Sequence, residues 1–250
     1  MLVDGLSAVA LCAADPAHAE GHAVAHAGAE HVAAASSPVI GPDFGVPGFF
    51  ALIPFIPLLA CVLCGVCAIF KVRSKLPAIL TVALLAASFV MTFMLYQRVQ
   101  PQMADGSHAI IHAFEWLNFQ WGSTPAQSVT ANFSFYADSL TCLWMLFVTG
   151  LATLIALYAS EYMSHDLGQG YCRFFAAFGL FVFSMACLVM GDNLALLFLG
   201  WEGVGICSYL LIGFWFENEA YANAGRKAFV VNRIGDFAFL LGMFLLWWAT

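Results

Sequence analysis

Charge is what this chain has least of: acidic and basic residues make up 9 % of it, with 8 Lys and Arg against 15 Asp and Glu in 250 residues. A water-soluble domain of this length carries far more, because its surface must meet water. The shortage therefore excludes an ordinary soluble enzyme. The shortage of basic residues, with no basic patch among them, also excludes a nucleic-acid interface. Missing too are a glycine-rich nucleotide loop, a CxxCH haem attachment and a nucleophile–base arrangement. Hydrocarbon fills the sequence instead: 62 % of residues are hydrophobic and the mean hydropathy is +0.88. Several runs approach or exceed the length that crosses a bilayer, which identifies an all-α polytopic membrane protein. The net charge of −7 comes mostly from residues scattered through the tail and loops, which fits solvated ends rather than an interface for a basic partner.

The eight cysteines lie mostly in apolar spans, where Cys behaves as a small hydrophobe. Cys61, Cys64 and Cys67 form a CxxCxxC string, but it sits inside the first span with no fourth ligand near it, so cluster ligation is disfavoured.

Residues 1–48 form an Ala/His-rich tail expected to lack fixed structure, and its opening LSAVALCAADPAHA only faintly resembles a signal peptide. His18, His22 and His26, with His31 close by, could share a helical face and bind metal, but a flexible polar tail is the favoured reading. About six transmembrane helices follow: Phe49–Phe70, Leu76–Tyr96, Ser139–Tyr158, Phe174–Met190, Leu194–Phe216, and a sixth beginning near Ala228. The chain thus divides into the tail, two helices over 49–96, an extramembrane segment over 97–137 and a four-helix start of a core over 138–250. In the extramembrane segment, FEWLNFQWGSTPAQSVTANFSF alternates aromatic and polar residues around Gly122 and Pro125, the pattern of a surface β-hairpin. His108 and His112 precede it at helical spacing and read as surface histidines rather than a zinc pair. Asn132 lies in a glycosylation sequon, relevant only in a secretory pathway. Asp138 and Asp192 sit at span ends, and Glu161, His165 and Asp166 form a solvated loop.

Lys71, Arg73, Lys75, Arg173, Arg226 and Lys227 fall in one set of loops, and only Arg98 in the other. By the positive-inside rule the first set faces the cytoplasm, and the amino terminus and hairpin face the periplasmic side. The apolar run FLLGMFLLWWAT continues to the last residues without a polar exit, which suggests that the sequence is an amino-terminal fragment.

One carboxylate stands out. Glu202 is the only acidic or basic side chain between Leu194 and Phe216, and a charge at the centre of a membrane helix costs roughly 2.5–3.5 kcal/mol. Gly200, Gly203 and Gly205 surround it, with Trp201 beside it; small residues admit a close neighbouring helix and leave room for water. Burial favours a protonated carboxyl and a nearby cation favours the carboxylate, so a carboxyl held between the two can load and release a proton. The bland alternative is a packing hydrogen bond from protonated Glu202. In the sixth span, Arg233 and Asp236 are three residues apart on one helical face, with Lys227 capping the same segment. They either neutralise each other or continue a polar path from Glu202.

The block from RFFAAFGLFVFSMACLVMGDNLALLFLGWEGVGICSYLLIGFWF to KAFVVNRIGDFAFLLG, with FYADSL and ASEYM before it, closely resembles the L subunit (mitochondrial chain 5) of respiratory complex I, the proton-pumping NADH:quinone oxidoreductase. The resemblance covers roughly Phe114–Thr250; the tail before Phe49 does not match. It implies an antiporter-like subunit of the membrane arm, partnered by other membrane-arm subunits and lipid. Such a subunit holds no cofactor of its own, NAD, FMN, Fe–S clusters and quinone belonging to partner subunits. It implies a proton-carrying membrane Glu, matched by Glu202, whose partner Lys would lie beyond Thr250. Arg233 and Asp236 match family positions in the next helix, and Lys227 is a further candidate for proton translocation. The expected location is the bacterial inner membrane, ahead of the mitochondrial one. The rival readings are the large subunit of a multisubunit Na⁺/H⁺ antiporter, a quinone-binding subunit using Trp116 and Trp121, and a structural membrane scaffold.

Overall fold

A computed structural model describes residues 47–102, 108–120 and 128–249. The tail with its four histidines and leader-like opening, Trp121, and the Gly122–Pro125 turn lie outside the described residues. A short 3-10 turn, Gly48–Ala51, leads into α1 (Leu52–Ile69), followed by α2 (Leu76–Val99). A two-stranded antiparallel hairpin, β1 (Ala109–Gln120) and β2 (Ser128–Ala137), precedes α3 (Ser139–Tyr162), α4 (Gln169–Met190), α5 (Leu194–Ile212) and α6 (Glu219–Ala249). All six helices are long and apolar enough to cross a membrane.

The helices overrun the apolar spans that announce them. α3 continues to Tyr162, α4 begins at Gln169, and α6 begins at Glu219 rather than near Ala228. Arg226 and Lys227, expected in a loop, therefore lie in the first turns of α6. The reason is physical: hydropathy marks where hydrocarbon lies, whereas a polar helix in water still satisfies its backbone internally. In the opposite sense, α5 stops at Ile212, before Phe216, with Gly213 at its end. Gly213 and Gly225 abut there, for a Cβ on Gly225 would lie 3.2 Å from the Gly213 Cα.

α4 is the centre of the bundle, packing on α1 and α5 and more lightly on α3 and α2. Half of its apolar window is buried, against 6 % for α6, which packs chiefly on α5. Close approaches are made where side chains are missing. A Cβ on Gly179 would sit 3.0 Å from the Pro57 carbonyl of α1, and one on Gly150 would sit 3.1 Å from the Phe89 ring. Buried hydroxyls do not float unpaired: Thr81, Thr92, Thr149 and Ser184 donate to the carbonyl four residues back, and Ser88 donates across to Ile53 of α1 at 3.1 Å. Cys64 lies beside Thr81, 3.3 Å away, and packs in the core as read from sequence.

Two apolar clusters result, one at each end. At one end the hairpin caps the bundle: Phe133 and Phe135 are buried with Ile53, Leu95, Met145 and Met190. Phe55 of α1 meets Phe133 at 5.7 Å and Phe135 at 6.1 Å. Phe133 and Phe135 thus face the bundle, while Phe114, Trp116 and Phe119 are exposed. Trp116 stacks edge-on to Phe133 at 5.7 Å, as a hairpin residue does. His108 stacks on Tyr136 at 4.9 Å. Because the segment is extended, His112 is about 13 Å farther along, so their helical spacing brings no pair together. The phenol of Tyr136 is pushed up in pKa by burial and then by Asp138 and Asp192. The hairpin is tied down by Ser134, which donates to Asp192 at 2.9 Å, and by Asn193, whose amide donates to the Asn132 carbonyl at 2.7 Å. Ser134, the hydroxyl residue of the sequon, is buried. At the opposite end, Lys75 pairs with Glu161 at 2.6 Å and Asp166 accepts from the Trp215 indole at 2.9 Å, so the expected solvated loop is partly knitted to its neighbours.

Candidate functional site

Glu202 falls at the midpoint of the 19-residue α5. Two of its neighbouring glycines set the depth of the α4–α5 seam. A Cβ on Gly200 would lie 2.8 Å from both the Leu188 Cα and the Ser184 carbonyl, and one on Gly203 would lie 2.8 Å from the Ser184 Cβ. Gly205 differs, having nothing within 4 Å of that position. It does not admit a helix; it opens a space.

The opposite side of α5 meets α6, where the charged residues converge. Arg233 Nη1 pairs with Glu202 Oε2 and lies 3.8 Å from Asp236 Oδ2. Trp201 Nε1 donates to the other oxygen of Asp236 at 2.6 Å. Among the described residues Asp236 is the one charged side chain that is buried, with Glu202 and Arg233 partly so. The guanidinium is held from one side by the Phe229 ring, 4.5 Å from its centroid. The Trp201 ring stacks on Phe239 at 5.5 Å, which fixes the indole N–H toward Asp236. The Nε–H of Arg233 meets no acceptor among the described residues, so its donor fork is only partly used.

Arg233 and Asp236 are therefore not a private pair. The sequence alternatives were mutual neutralisation or a path from Glu202, and Arg233 bridges both carboxylates. Lys227 is exposed and, six residues earlier on α6, about 9 Å of helix rise from Arg233; among the described residues it makes no ion pair. A cavity of about 330 Å³ opens beside Asp236, lined by Trp201 and Gly205 of α5, Asn232 and Gly235 of α6, and Leu188 of α4. Four contributors escaped the sequence reading. Trp201 was seen only as a neighbour of Glu202, although an indole donor next to a membrane carboxylate is itself a signal. Phe229, Phe239 and Asn232 carry no such signal, because aromatic and amide residues are common in membrane helices.

Fold and site together define a polytopic helical membrane protein with a three-membered charge cluster inside its bundle. Residues 191–250 match the family model described as NADH:quinone oxidoreductase/Mrp antiporter, TM, and residues 121–175 match that for NADH-Ubiquinone oxidoreductase (complex I), chain 5 N-terminus. Similar proteins include the chloroplastic NAD(P)H-quinone oxidoreductase subunit 5 of Anthoceros angustus, 38 % identical over 201 residues, and that of Aethionema cordifolium, 41 % identical over 204. Each alignment covers 80 % of this chain and 26 % of the relative. The subunit 5 of Physcomitrium patens is 38 % identical over 208 residues, covering 81 % of this chain and 27 % of its own length. The chain is similar to complex I chain 5 antiporter-like subunits over about four fifths of its own length, and it spans about a quarter of the length of these relatives.

Proposed function

We propose that this chain is part of a subunit that translocates protons in a membrane-bound NAD(P)H:quinone oxidoreductase, with Glu202 as the proton-carrying group. The observation that carries the reading is Arg233 set between Glu202 and Asp236. Two carboxylates share one guanidinium, so the electrically neutral form of the cluster holds one proton. In a medium where an uncompensated charge costs several kcal/mol, that proton resides on whichever carboxylate the guanidinium leaves. Moving Arg233 toward Asp236 would release Glu202 from its cation and let it take up a proton; the return movement would expel it. The partly unused fork leaves the guanidinium donors for either partner. The cavity at Asn232 and Asp236 is polar on one side and roomy enough for water to approach. The driving change comes from electron transfer in other subunits, where NAD, FMN, Fe–S clusters and quinone belong, and reaches this cluster as a shift between two charge arrangements. The distribution of Lys and Arg favours the hairpin on the periplasmic side of a bacterial inner membrane.

The test is proton pumping by the intact enzyme. Glu202→Gln, assembled normally, is expected to lose pumping through this subunit, and Glu202→Asp to keep part of it; unchanged pumping by the Gln variant overturns the relay. A second reading, Na⁺/H⁺ antiport, is favoured by the Mrp antiporter half of the match over residues 191–250, while the match over 121–175 favours the oxidoreductase. Sodium-dependent transport without any NADH-driven pumping would select the antiporter.

A further inference from the structure

A second groove opens at the end of the bundle opposite the hairpin, between α1 and α5 over the surface of α4. Its volume is about 350 Å³. Ala176 and Leu180 of α4 form the floor, with Cys61 of α1 and Leu210 of α5 on the flanks. Arg173 closes one end. Its Nη2 donates to the Phe214 carbonyl at 2.9 Å, and its guanidinium lies 4.8 Å from the Phe214 ring and 5.1 Å from the Phe216 ring. Among the described residues no carboxylate comes within ion-pair distance of it. The side chain is thus immobilised by aromatic contacts while most of its five donors stay free, the arrangement that suits bidentate recognition of a phosphate.

Charge and depth choose the occupant. Arg173 is the fifth residue of a 22-residue membrane helix, about 6 Å inside its start, so its long side chain is within snorkelling reach of the headgroup boundary of a bilayer that the helix spans. From Arg173 to Leu180 the groove runs for roughly 10 Å of helix rise, and Ala176, Ala177 and Leu180 form an apolar track leading away from the cation, the order of a phosphate followed by its acyl chain. Two further cations, Arg226 and Lys227, lie one and two residues beyond Gly225, which abuts Gly213 in the groove wall, with Asp166, Glu217 and Glu219 as the acidic residues of the same end. We propose that this groove binds one anionic phospholipid, with its phosphate on Arg173 and one acyl chain along Ala176, Ala177 and Leu180.

The experiment places a photoreactive benzoylphenylalanine at Leu210, an exposed position on the groove wall, in the intact enzyme reconstituted into vesicles of equal phosphatidylglycerol and phosphatidylcholine. Lipid adducts on this subunit are then counted by mass spectrometry. The expected result is a preference for phosphatidylglycerol of about tenfold, the scale of one charge-assisted hydrogen bond. Arg173→Gln is expected to bring the ratio near one and Arg173→Lys to give an intermediate ratio, because lysine keeps the charge but not the planar fork. Lys71→Gln, an exposed cation at the same end but outside the groove, is expected to leave it unchanged. An even ratio in the native protein, a preference indifferent to Arg173→Gln, an equal loss in Lys71→Gln, or cross-linking to a protein helix overturns the proposal. If Arg173→Gln does not assemble, the native ratio decides alone. Excess soluble glycerol phosphate is expected not to compete, and competition by it overturns the lipid seating.

Discussion

The bond from Trp201 to Asp236 controls which arrangement of the cluster is available. Asp236 accepts from the indole at one oxygen and turns the other toward Arg233, 3.8 Å away, so the indole sets the orientation in which the carboxylate faces the guanidinium. Hydrogen bonds between membrane helices average about 0.6 kcal/mol in double-mutant cycles, and a charged acceptor raises this toward roughly 1.5–3 kcal/mol. A cycle of Trp201→Phe and Asp236→Ala, read by thermal unfolding of the assembled enzyme, is expected to return a coupling in that range. A coupling near zero would mean that the indole merely packs against Phe239. Asp236→Asn alone keeps the acceptor for Trp201 while removing the charge. It is expected to weaken pumping with assembly retained; loss of the subunit from the enzyme would favour a purely structural ion pair. The identities of these residues were legible in the sequence because charges in apolar runs are conspicuous. Their partnership was not, because helical periodicity relates Arg233 to Asp236 but cannot say which face of α6 meets α5. Tertiary packing sets that rotation, and it made Arg233 the hinge between two carboxylates.

Among the elements, the α4–α5 seam fixes where Glu202 stands. Gly200 faces backbone atoms of α4 that cannot yield, whereas Gly205 faces open space. Gly200→Ala is therefore expected to push the helices apart and destabilise by about 1–3 kcal/mol. Gly205→Ala is expected to be neutral or to stabilise by up to about 1 kcal/mol through helix propensity. Thermal unfolding of the two assembled variants checks the contrast, and equal effects would remove the seam from the account. The start of α5 is held by Asn193, which caps Leu196 N at 2.9 Å and also ties down β2. Asn193→Ala is expected to cost about 0.5–2 kcal/mol, measurable in the same way. The hairpin and all six helices were legible from alternation and apolar length. The early start of α6 was not, since Glu219–Lys227 is polar and only its backbone is helical. The glycines by Glu202 were legible as a group but not individually, because one spacing serves both a tight seam and an open cavity.

At the scale of the molecule, the bundle buries α4 and leaves α5 and α6 as its least covered helices, 17 % and 6 % of their apolar windows being buried. The charge cluster lies between those two. The hairpin end is bound by an aromatic cluster and by hydrogen bonds that also anchor the start of α5. The central claim is that Glu202 changes its protonation under the control of Arg233. Infrared difference spectroscopy of the intact enzyme during turnover tests this most directly, because a protonated carboxyl has its own carbonyl stretch. A carboxyl band that rises and falls with turnover, vanishes in Glu202→Gln and loses its turnover dependence in Arg233→Gln is the predicted result. The same turnover-linked band in Glu202→Gln as in the native enzyme would contradict the account.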